Sequence, residues 1–319
     1  MWRFHSGERF PGLRRLQGVT AIRRALWTGT ILAAIVLVAL TGAAALVCNF
    51  SLHVPRRSPG PPPVALFPDA DWREARIHAA DRAVLEAWFV RPRTRPDGRC
   101  VIVLHGIADS RLGAAGFAPM FLAAGYSVLL PDSRGHGQSG GEFVTYGLLE
   151  KYDVLDWAHW MRGQGCTATY GLGESLGGSI LIQAAAIEPA FRAAAAESAF
   201  ADLSAAGEIR VRRLLPLPDS IAGRTSWLLV AGGLVYARVR YGLDLRQVAP
   251  VEAMRQTRTP ILLIHGIEDQ RTPCWHSERL AQANPNAVLW LVPKADHVSV
   301  SRVDPQGFRQ RVLDWFARH

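Results

Sequence analysis

Short apolar runs alternate with helical stretches along most of this 319-residue chain. The runs contain few polar residues, whereas a strand with one face in water alternates apolar and polar side chains. We therefore predict strands buried on both faces at residues 101–104, 126–130, 169–172, 261–264 and 288–292. A stretch such as 148–161, with apolar residues at helical spacing, lies between them. This order predicts an α/β fold with a mostly parallel central sheet flanked by helices.

Two segments depart from the alternation. Residues 76–80 and 84–90 flank Asp81-Arg82 and predict an opening β-hairpin. Residues 203–250 carry seven arginines and three acidic residues, and they predict a small helical cap over the active edge of the sheet. The apolar stretch at 227–237 within this cap is too short to span a bilayer. Two interpretations of the cap arginines stay open: Arg210, Arg212 and Arg213 either contact anionic membrane or form a solvated face.

The first 48 residues predict a membrane anchor. Residues 1–24 contain six arginines and one glutamate, and residues 25–48 are uncharged and mostly apolar. A helix over these 24 residues extends about 36 Å, enough to cross a hydrocarbon core of about 30 Å. Because positive residues favour the cytoplasmic side, we predict a single-pass protein with a cytoplasmic N-terminus and an extracytoplasmic body. The alternative is a secretory signal cleaved near Ala43-Ala44-Ala45, which would release the body.

The remaining boundaries follow from composition. Residues 49–71 include a proline-rich run and predict an extended, semi-rigid spacer that holds the body off the membrane. Residues 72–319 form the predicted body, with the cap inserted at about 203–250. The net charge is +9, but outside residues 1–24 and the cap the charges balance. This distribution excludes a nucleic-acid-binding body, which needs clustered basic residues along the chain.

A nucleophile motif lies directly after one predicted strand. Gly173-Glu174-Ser175-Leu176-Gly177 has the form G-x-S-x-G and precedes a helical run at 178–186. In this context a strained strand-to-helix turn projects the serine hydroxyl from the sheet, and Gly173 and Gly177 permit the tight turn. The motif in this setting predicts that Ser175 is a catalytic nucleophile and not part of an ordinary glycine-rich turn.

A serine hydroxyl needs a base that takes its proton and an acid that orients the base. For this motif the acid and then the histidine follow the serine along the chain. His297 follows the run 288–292 by a short loop and is the predicted base. Asp269 follows the run 261–264 and is the predicted acid. Poorer candidates are His265, His276 and His319 for the base and Glu268 and Asp296 for the acid.

Five segments resemble the successive signature elements of the α/β-hydrolase superfamily, in its order: 105–106, 132–139, 173–177, 265–269 and 296–297. The similarity covers residues 72–319 and is strongest to membrane-anchored lipases and esterases and to serine-aminopeptidase-like members. It implies an α/β-hydrolase fold and an oxyanion hole formed by the backbone N–H groups of Leu176 and Ile107. It also implies that His105, Arg134 and His136 support the active edge. No cofactor is implied, and no metal is expected because the cysteines lack the spacing of metal ligands.

The resemblance also bears on the cysteines. In the resembled fold, the strands that begin near Cys100 and Cys166 are neighbours. A disulfide between them is one outcome in an oxidising compartment. Two buried free thiols are the favoured interpretation, because the sequence gives neither the separation nor the direction of the side chains.

Together these residues predict a membrane-tethered serine hydrolase that cleaves carboxylic esters through an acyl-enzyme. The expected substrates are small-molecule or lipid esters such as acylglycerols. A serine nucleophile favours acyl transfer to water over the reactions of relatives that use aspartate at this position. A serine peptidase, an acyltransferase and a binding protein without turnover stay open as alternatives. The membrane is the expected partner, and the oligomeric state is left open.

Overall fold

The apolar runs assemble into one sheet in the computed structural model, which describes residues 11–94 and 96–319. Its strands are β1 (Ala70–His78), β2 (Val84–Pro92), β3 (Arg99–Leu104), β4 (Ser127–Pro131), β5 (Ala168–Glu174), β6 (Ala193–Glu197), β7 (Ile261–Gly266) and β8 (Val288–Val292). They lie in the order β1-β2-β4-β3-β5-β6-β7-β8. β3 to β8 run parallel, and β2 is antiparallel to both of its neighbours. The predicted mostly parallel sheet with an opening hairpin is therefore confirmed.

Helices cover both faces of this sheet. The helices of the described residues are α1 (Pro11–Leu52), α2 (Arg111–Ala114), α3 (Ala118–Ala123), α4 (Glu150–Gly163), α5 (Leu176–Ala185), α6 (Leu203–Leu214), α7 (Asp219–Tyr241), α8 (Pro250–Gln256), α9 (Trp275–Ala283), α10 (Val300–Val303) and α11 (Pro305–Arg318). Ile102 belongs to a core with Ile180 of α5, whereas its neighbour Val103 belongs to a second core with Phe316 of α11. Because successive strand residues serve opposite cores, the strands read as continuous apolar runs.

Strand β6 lies outside every run that the sequence predicts as a strand. It consists of four alanines and Glu197, and alanine has a low strand propensity. The strand forms because β5 and β7 pair with it on either side, and all of its residues are buried. Tertiary pairing therefore decides the structure of this segment.

Helix α1 contains the predicted membrane segment. Its stretch Leu26–Leu52 is long enough and apolar enough to cross a bilayer, and it is a candidate transmembrane segment. The helix continues four residues beyond the predicted end of the span at residue 48. Residues 1–10 of the predicted basic segment 1–24 lie outside the described residues.

The last turns of α1 pack against the body. Ala44, Cys48 and Leu52 are buried there. The Tyr146 hydroxyl donates a hydrogen bond to the carbonyl oxygen of Ser51 at 2.8 Å. The end of the helix therefore contacts the body directly, before the proline-rich run begins.

The proline-rich run has no regular secondary structure before residue 64, and it lies on the body. The Arg56 guanidinium donates hydrogen bonds to the carbonyl oxygens of Ser139 and Gly141. A short 3₁₀ turn at Val64–Leu66 follows, and β1 begins at Ala70. The segment therefore connects two parts of the chain that already contact each other.

Cys100 and Cys166 form a disulfide, with their Cα atoms 5.7 Å apart. This finding corrects the favoured interpretation of two free thiols. Cys100 lies in β3, Cys166 lies just before β5, and these two strands pair in parallel over the whole of β3. The strand register brings the two side chains together, and register is a property that the sequence alone does not give.

Candidate active site

Ser175 lies at the sharp turn between β5 and α5. Its backbone has φ of 51° and ψ of −112°, a conformation that L-residues seldom adopt. Two glycines allow the turn to be this tight. A Cβ atom on Gly173 would lie 2.5 Å from the backbone of Gly177, and one on Gly177 would lie 2.5 Å from the carbonyl oxygen of Leu104. The turn therefore has the form that the motif predicts.

The structure brings Ser175, His297 and Asp269 together in one hydrogen-bonded chain. The Ser175 hydroxyl lies 2.9 Å from His297 Nε2. His297 Nδ1 lies 2.7 Å from Asp269 Oδ2 on the other side of the ring. Since the carboxylate accepts the proton on Nδ1, Nε2 is free to accept the proton of the serine hydroxyl. The geometry is suited to general-base activation of a serine nucleophile.

Asp269 is held in a fixed orientation. Its Oδ1 accepts hydrogen bonds from the backbone N–H groups of Arg271 at 2.9 Å and Thr272 at 2.8 Å. Burial acts to raise the pKa of this carboxyl, but the hydrogen bonds and charge of its histidine and backbone neighbours hold that pKa well below its usual range. Asp269 is therefore ionised when it contacts His297.

None of the other histidines after Ser175 contacts its hydroxyl, although His265 Nε2 lies 3.3 Å from Asp269 Oδ2. His265 is fully buried, and its ring contacts the Ser277 hydroxyl and the Thr272 carbonyl oxygen, each at 2.6 Å. His276 Nδ1 accepts a hydrogen bond from the backbone of Ala201. His319 is exposed at the last position and contacts the ring of Trp315. These contacts are structural ones.

Two residues that the sequence analysis misses support the loop of His297. Glu197 Oε1 accepts a hydrogen bond from the backbone N–H of Val300 at 2.9 Å. The Ser198 hydroxyl accepts one from the N–H of Val298 at 3.2 Å. Both acceptors lie at the carboxyl end of β6, the strand without an apolar signal. The sequence carries no signal for these two acceptors, because the alanines of β6 do not form an apolar run typical of a strand.

Two carboxyl groups near the turn have strongly raised pKa values. Burial, together with the charges of Glu197 and Asp109, raises the pKa of Glu174 to about 8. Burial also raises the pKa of Glu197 to about 7, against the hydrogen bond from Val300. One Glu197 oxygen, Oε2, is buried without a hydrogen-bond partner among the described residues. At neutral pH a neutral form is therefore substantially populated at both sites.

Ile107 and Leu176 line the same cavity as Ser175 and His297. Leu176 is the first residue of α5, where an N–H group has no partner within the helix. The loop that carries Ile107 is fixed by the N–H of Ala108, which donates to His136 Nε2 at 3.1 Å. These positions fit the oxyanion hole that the resemblance implies.

Buried neutral histidines support this loop. His105 Nε2 accepts a hydrogen bond from the backbone N–H of Ser133 at 3.0 Å. Burial lowers the pKa of His105, and it lowers the pKa of His136 to about 4. Arg134 forms a two-pronged ion pair with Asp153, with both contacts at 2.6 Å. The three residues therefore have the supporting positions expected of them.

A cavity of about 490 Å³ opens beside Ser175. Apolar side chains make up most of its lining, and they come from three sources: the end of α1, the cap helices α6 and α7, and the active edge of the sheet. Arg210 and Arg213 also line it, whereas Arg212 pairs with Asp219 at 2.8 Å. The cavity has the size and the apolar character of a small-molecule site.

Comparison with known proteins agrees with the fold and the motif order. Residues 101–311 match the alpha/beta hydrolase family. The chain is 27% identical over 239 residues to the uncharacterized protein YqkD of Bacillus subtilis, covering 72% of this chain and 74% of that one. It is 26% identical over 256 residues to the uncharacterized protein Rv2307c of Mycobacterium tuberculosis, covering 77% and 79%. Among solved structures it is similar to the Pyrococcus furiosus esterase Pf2001, with a TM-score of 0.66 and 23% identity over 83% of this chain and 98% of the esterase.

The match covers about two thirds of the chain, from residue 101 to residue 311. The protein therefore belongs to the alpha/beta hydrolase family.

Proposed function

We propose that this protein is a serine hydrolase of carboxylic esters, with Ser175 as nucleophile, His297 as base and Asp269 as the acid that orients the base. The observation that carries the proposal is the continuous chain from the Ser175 hydroxyl to Asp269, with contacts of 2.9 Å and 2.7 Å. The resemblance of the fold to the esterase Pf2001 is consistent with it. Substrates include small-molecule and lipid esters.

In the first half of the reaction, Ser175 Oγ attacks the acyl carbonyl carbon while His297 Nε2 takes the hydroxyl proton. The bond to the alcohol oxygen then breaks, and His297 returns the proton to the departing alcohol. In the second half, His297 takes a proton from water, the hydroxide attacks the acyl-enzyme, and Ser175 regains its proton as the carboxylic acid leaves. Asp269 holds His297 in the required tautomer throughout.

The negative oxygen that forms in each half needs hydrogen-bond donors. The backbone N–H groups of Leu176 and Ile107 are the proposed donors, since both residues line the cavity at Ser175. Loss of one such donor costs about 2.7–4 kcal/mol in a comparable hydrolase. Backbone donors are already fixed before the reaction and so need no reorganisation.

The body is proposed to lie outside the cytoplasm, tethered to the membrane by α1. The basic segment 1–24 precedes the candidate span Leu26–Leu52, which favours a cytoplasmic N-terminus. The Cys100–Cys166 disulfide supports an oxidising compartment for the body. Burial of Ala44 against the cap favours retention over cleavage, because a cut near residue 45 would remove Ala44 from the body.

Ester hydrolysis by the full-length protein in detergent tests the proposal. With p-nitrophenyl butyrate, the wild type turns over, and Ser175→Ala and His297→Ala each lower kcat by about 10⁵-fold or more, as in a serine protease. Ser58→Ala, which changes an exposed serine, is the matched control and leaves kcat unchanged. A folded wild type without turnover, or an active Ser175→Ala variant, would contradict the proposal. Adding an alcohol acceptor separates a hydrolase from an acyltransferase by the partition of the acyl group.

A further inference from the structure

The candidate transmembrane helix and the reactive serine line the same cavity. At one end of the cavity lie Ser175 and His297. Val47, Cys48 and Ser51 of α1 also line it, and they belong to the candidate span Leu26–Leu52. The candidate transmembrane helix therefore forms part of the wall of the site.

The contact between α1 and the cap is close. A Cβ atom on Gly232 of α7 would lie 2.9 Å from the Ala44 Cβ atom, and one on Gly233 would lie 3.4 Å from the Ala44 carbonyl oxygen. Further along, the Tyr241 hydroxyl donates a hydrogen bond to Asn49 Oδ1. Ala44 and residues of α6 and α7 share a small apolar core. The helix end is thus packed into the body and is not a loose tether.

The two helices run in the same direction. Ala44 lies against Gly232, and five residues later Asn49 contacts Tyr241. The first half of α7 therefore lies on the same side as the part of α1 that precedes Ala44, which is the part that would enter the bilayer.

The cap exposes apolar side chains along the whole of α7, including Val235 and Val239 in its second half. Trp227 and Ile221 of α7 are more than half exposed, and Leu214 at the end of α6 is 76% exposed. Large exposed apolar side chains that lie together indicate a surface that contacts another apolar phase. Because these side chains lie beside the candidate span, lipid is the nearest apolar phase.

We propose that the cavity is the acyl-chain site of a membrane-lipid ester, that the last turns of α1 form one wall of it, and that the lipid enters from the bilayer beside α1. This inference rests on the proposed function and adds the substrate class and a specificity-determining role for α1. The acyl chain occupies the apolar part of the cavity, and its ester carbonyl reaches Ser175. The bilayer helix acts both as anchor and as part of the substrate site.

A tryptophan at residue 47 tests the wall. The full-length protein is reconstituted in phosphatidylcholine vesicles, and kcat/KM is measured with p-nitrophenyl palmitate and p-nitrophenyl acetate. Val47→Trp fills the cavity, so we expect at least a ten-fold loss on palmitate and a change within two-fold on acetate. Val38→Trp is the matched control on the same helix, since Val38 is 71% exposed and lies away from the body. It leaves both values unchanged.

The acetate ester also reports whether the variant is folded. An unchanged palmitate rate in Val47→Trp, or an equal loss for both esters in a variant that keeps the wild-type melting temperature, would overturn the inference. A wild type that hydrolyses neither ester instead contradicts the proposed function, so the two failures are distinguishable.

A second measurement does not depend on turnover or on the tryptophan variant. Ser175→Ala in vesicles is irradiated with a phosphatidylcholine that carries a diazirine at the end of one acyl chain, and the adducts are located by tandem mass spectrometry. We expect adducts at the cavity-lining residues Val47, Cys48, Ser51 and Leu52 and on the cavity face of α6. Adducts confined to residues 26–40, the ordinary lipid boundary of a span, would overturn the inference.

Discussion

At the scale of single residues, the candidate site depends on how firmly His297 is oriented. Its ring lies between the Ser175 hydroxyl and Asp269. Asp269 in turn accepts two backbone hydrogen bonds on its second oxygen, which fix the plane of the carboxylate. The loop after β7 therefore orients Asp269, and two side chains at the end of β6 hold the loop of His297.

Replacing Asp269 by asparagine is expected to lower kcat by about 10⁴-fold with little change in KM, because the histidine then takes the wrong tautomer. Steady-state kinetics on p-nitrophenyl butyrate measure both constants. Glu268→Gln is the control, since Glu268 is the exposed neighbour on the same turn. A loss below ten-fold in Asp269→Asn would show that another group orients His297.

The raised pKa of Glu174 predicts a pH dependence of stability. Its pKa is about 8 in the folded protein and about 4.5 when exposed, so the folded state binds more protons between these values. The stability that this group contributes is complete below about pH 4.5 and is lost as the pH rises towards 8. Glu174→Gln removes this titration and is expected to flatten the fall of the free energy of unfolding between pH 5 and 8.

Thermal unfolding of the full-length protein in detergent, measured at pH 5, 6, 7 and 8, checks the expectation. Glu252→Gln is the control, since Glu252 is exposed and pairs with Arg255 at 2.8 Å. The interpretation of Glu174 fails if the wild type and Glu174→Gln have parallel pH profiles.

The order of the motifs along the chain suffices to predict Ser175, Asp269 and His297 as a set. It does not predict Glu197 and Ser198, which hold the His297 loop from β6. Their role depends on a strand whose alanines carry no apolar signal. The physical reason is that β6 is specified by its two neighbours and not by its own side chains.

At the scale of the elements, the cap presents two kinds of arginine. Arg210 and Arg213 line the cavity, and among the described residues neither pairs with an acidic side chain. Arg212 pairs with Asp219. The two interpretations of the cap, membrane contact or solvated face, therefore make different predictions for these residues.

If the cap contacts anionic lipid, Arg210→Gln and Arg213→Gln each lower the ratio of the rate in anionic vesicles to that in neutral vesicles. We expect about a five-fold decrease for each, from about 1 kcal/mol per arginine near a charged surface. Rates on a vesicle-embedded ester at low salt measure the ratio, since salt screens such contacts. Arg212→Gln is the control with an ion-paired arginine, and an unchanged ratio in the first two variants favours the solvated face.

The disulfide is a second feature at the scale of the elements. Cys100 and Cys166 are separated by 66 residues, so their bond restrains a long loop of the unfolded chain. The double variant Cys100→Ala, Cys166→Ala is expected to lose about 2–5 kcal/mol of stability. Denaturant unfolding with and without reductant measures the loss. Cys274→Ala, which removes a free thiol, is the control, and a double variant as stable as that control would contradict the expectation.

At the scale of the whole molecule, α1 and the body form one structural unit. The sequence distinguishes the apolar span from the body by composition, and this division leads to the expectation of a spacer between them. The contact itself depends on Ala44, Gly232 and Gly233, small residues that have no distinctive pattern in the sequence. Two helices can approach closely where small residues leave room for the backbones. Hydrophobic periodicity and charge do not indicate such positions.

The central claim is that Ser175 is the nucleophile of an ester hydrolase, and covalent capture tests it most directly. The full-length protein is treated with a fluorophosphonate, and the modified residue is located by peptide mass spectrometry. We predict a single stoichiometric adduct on Ser175 in the wild type and none in Ser175→Ala, with labelling strongly slowed in His297→Ala because the hydroxyl loses its base. A folded wild type that takes no label, or one that takes it on another serine, would contradict the account.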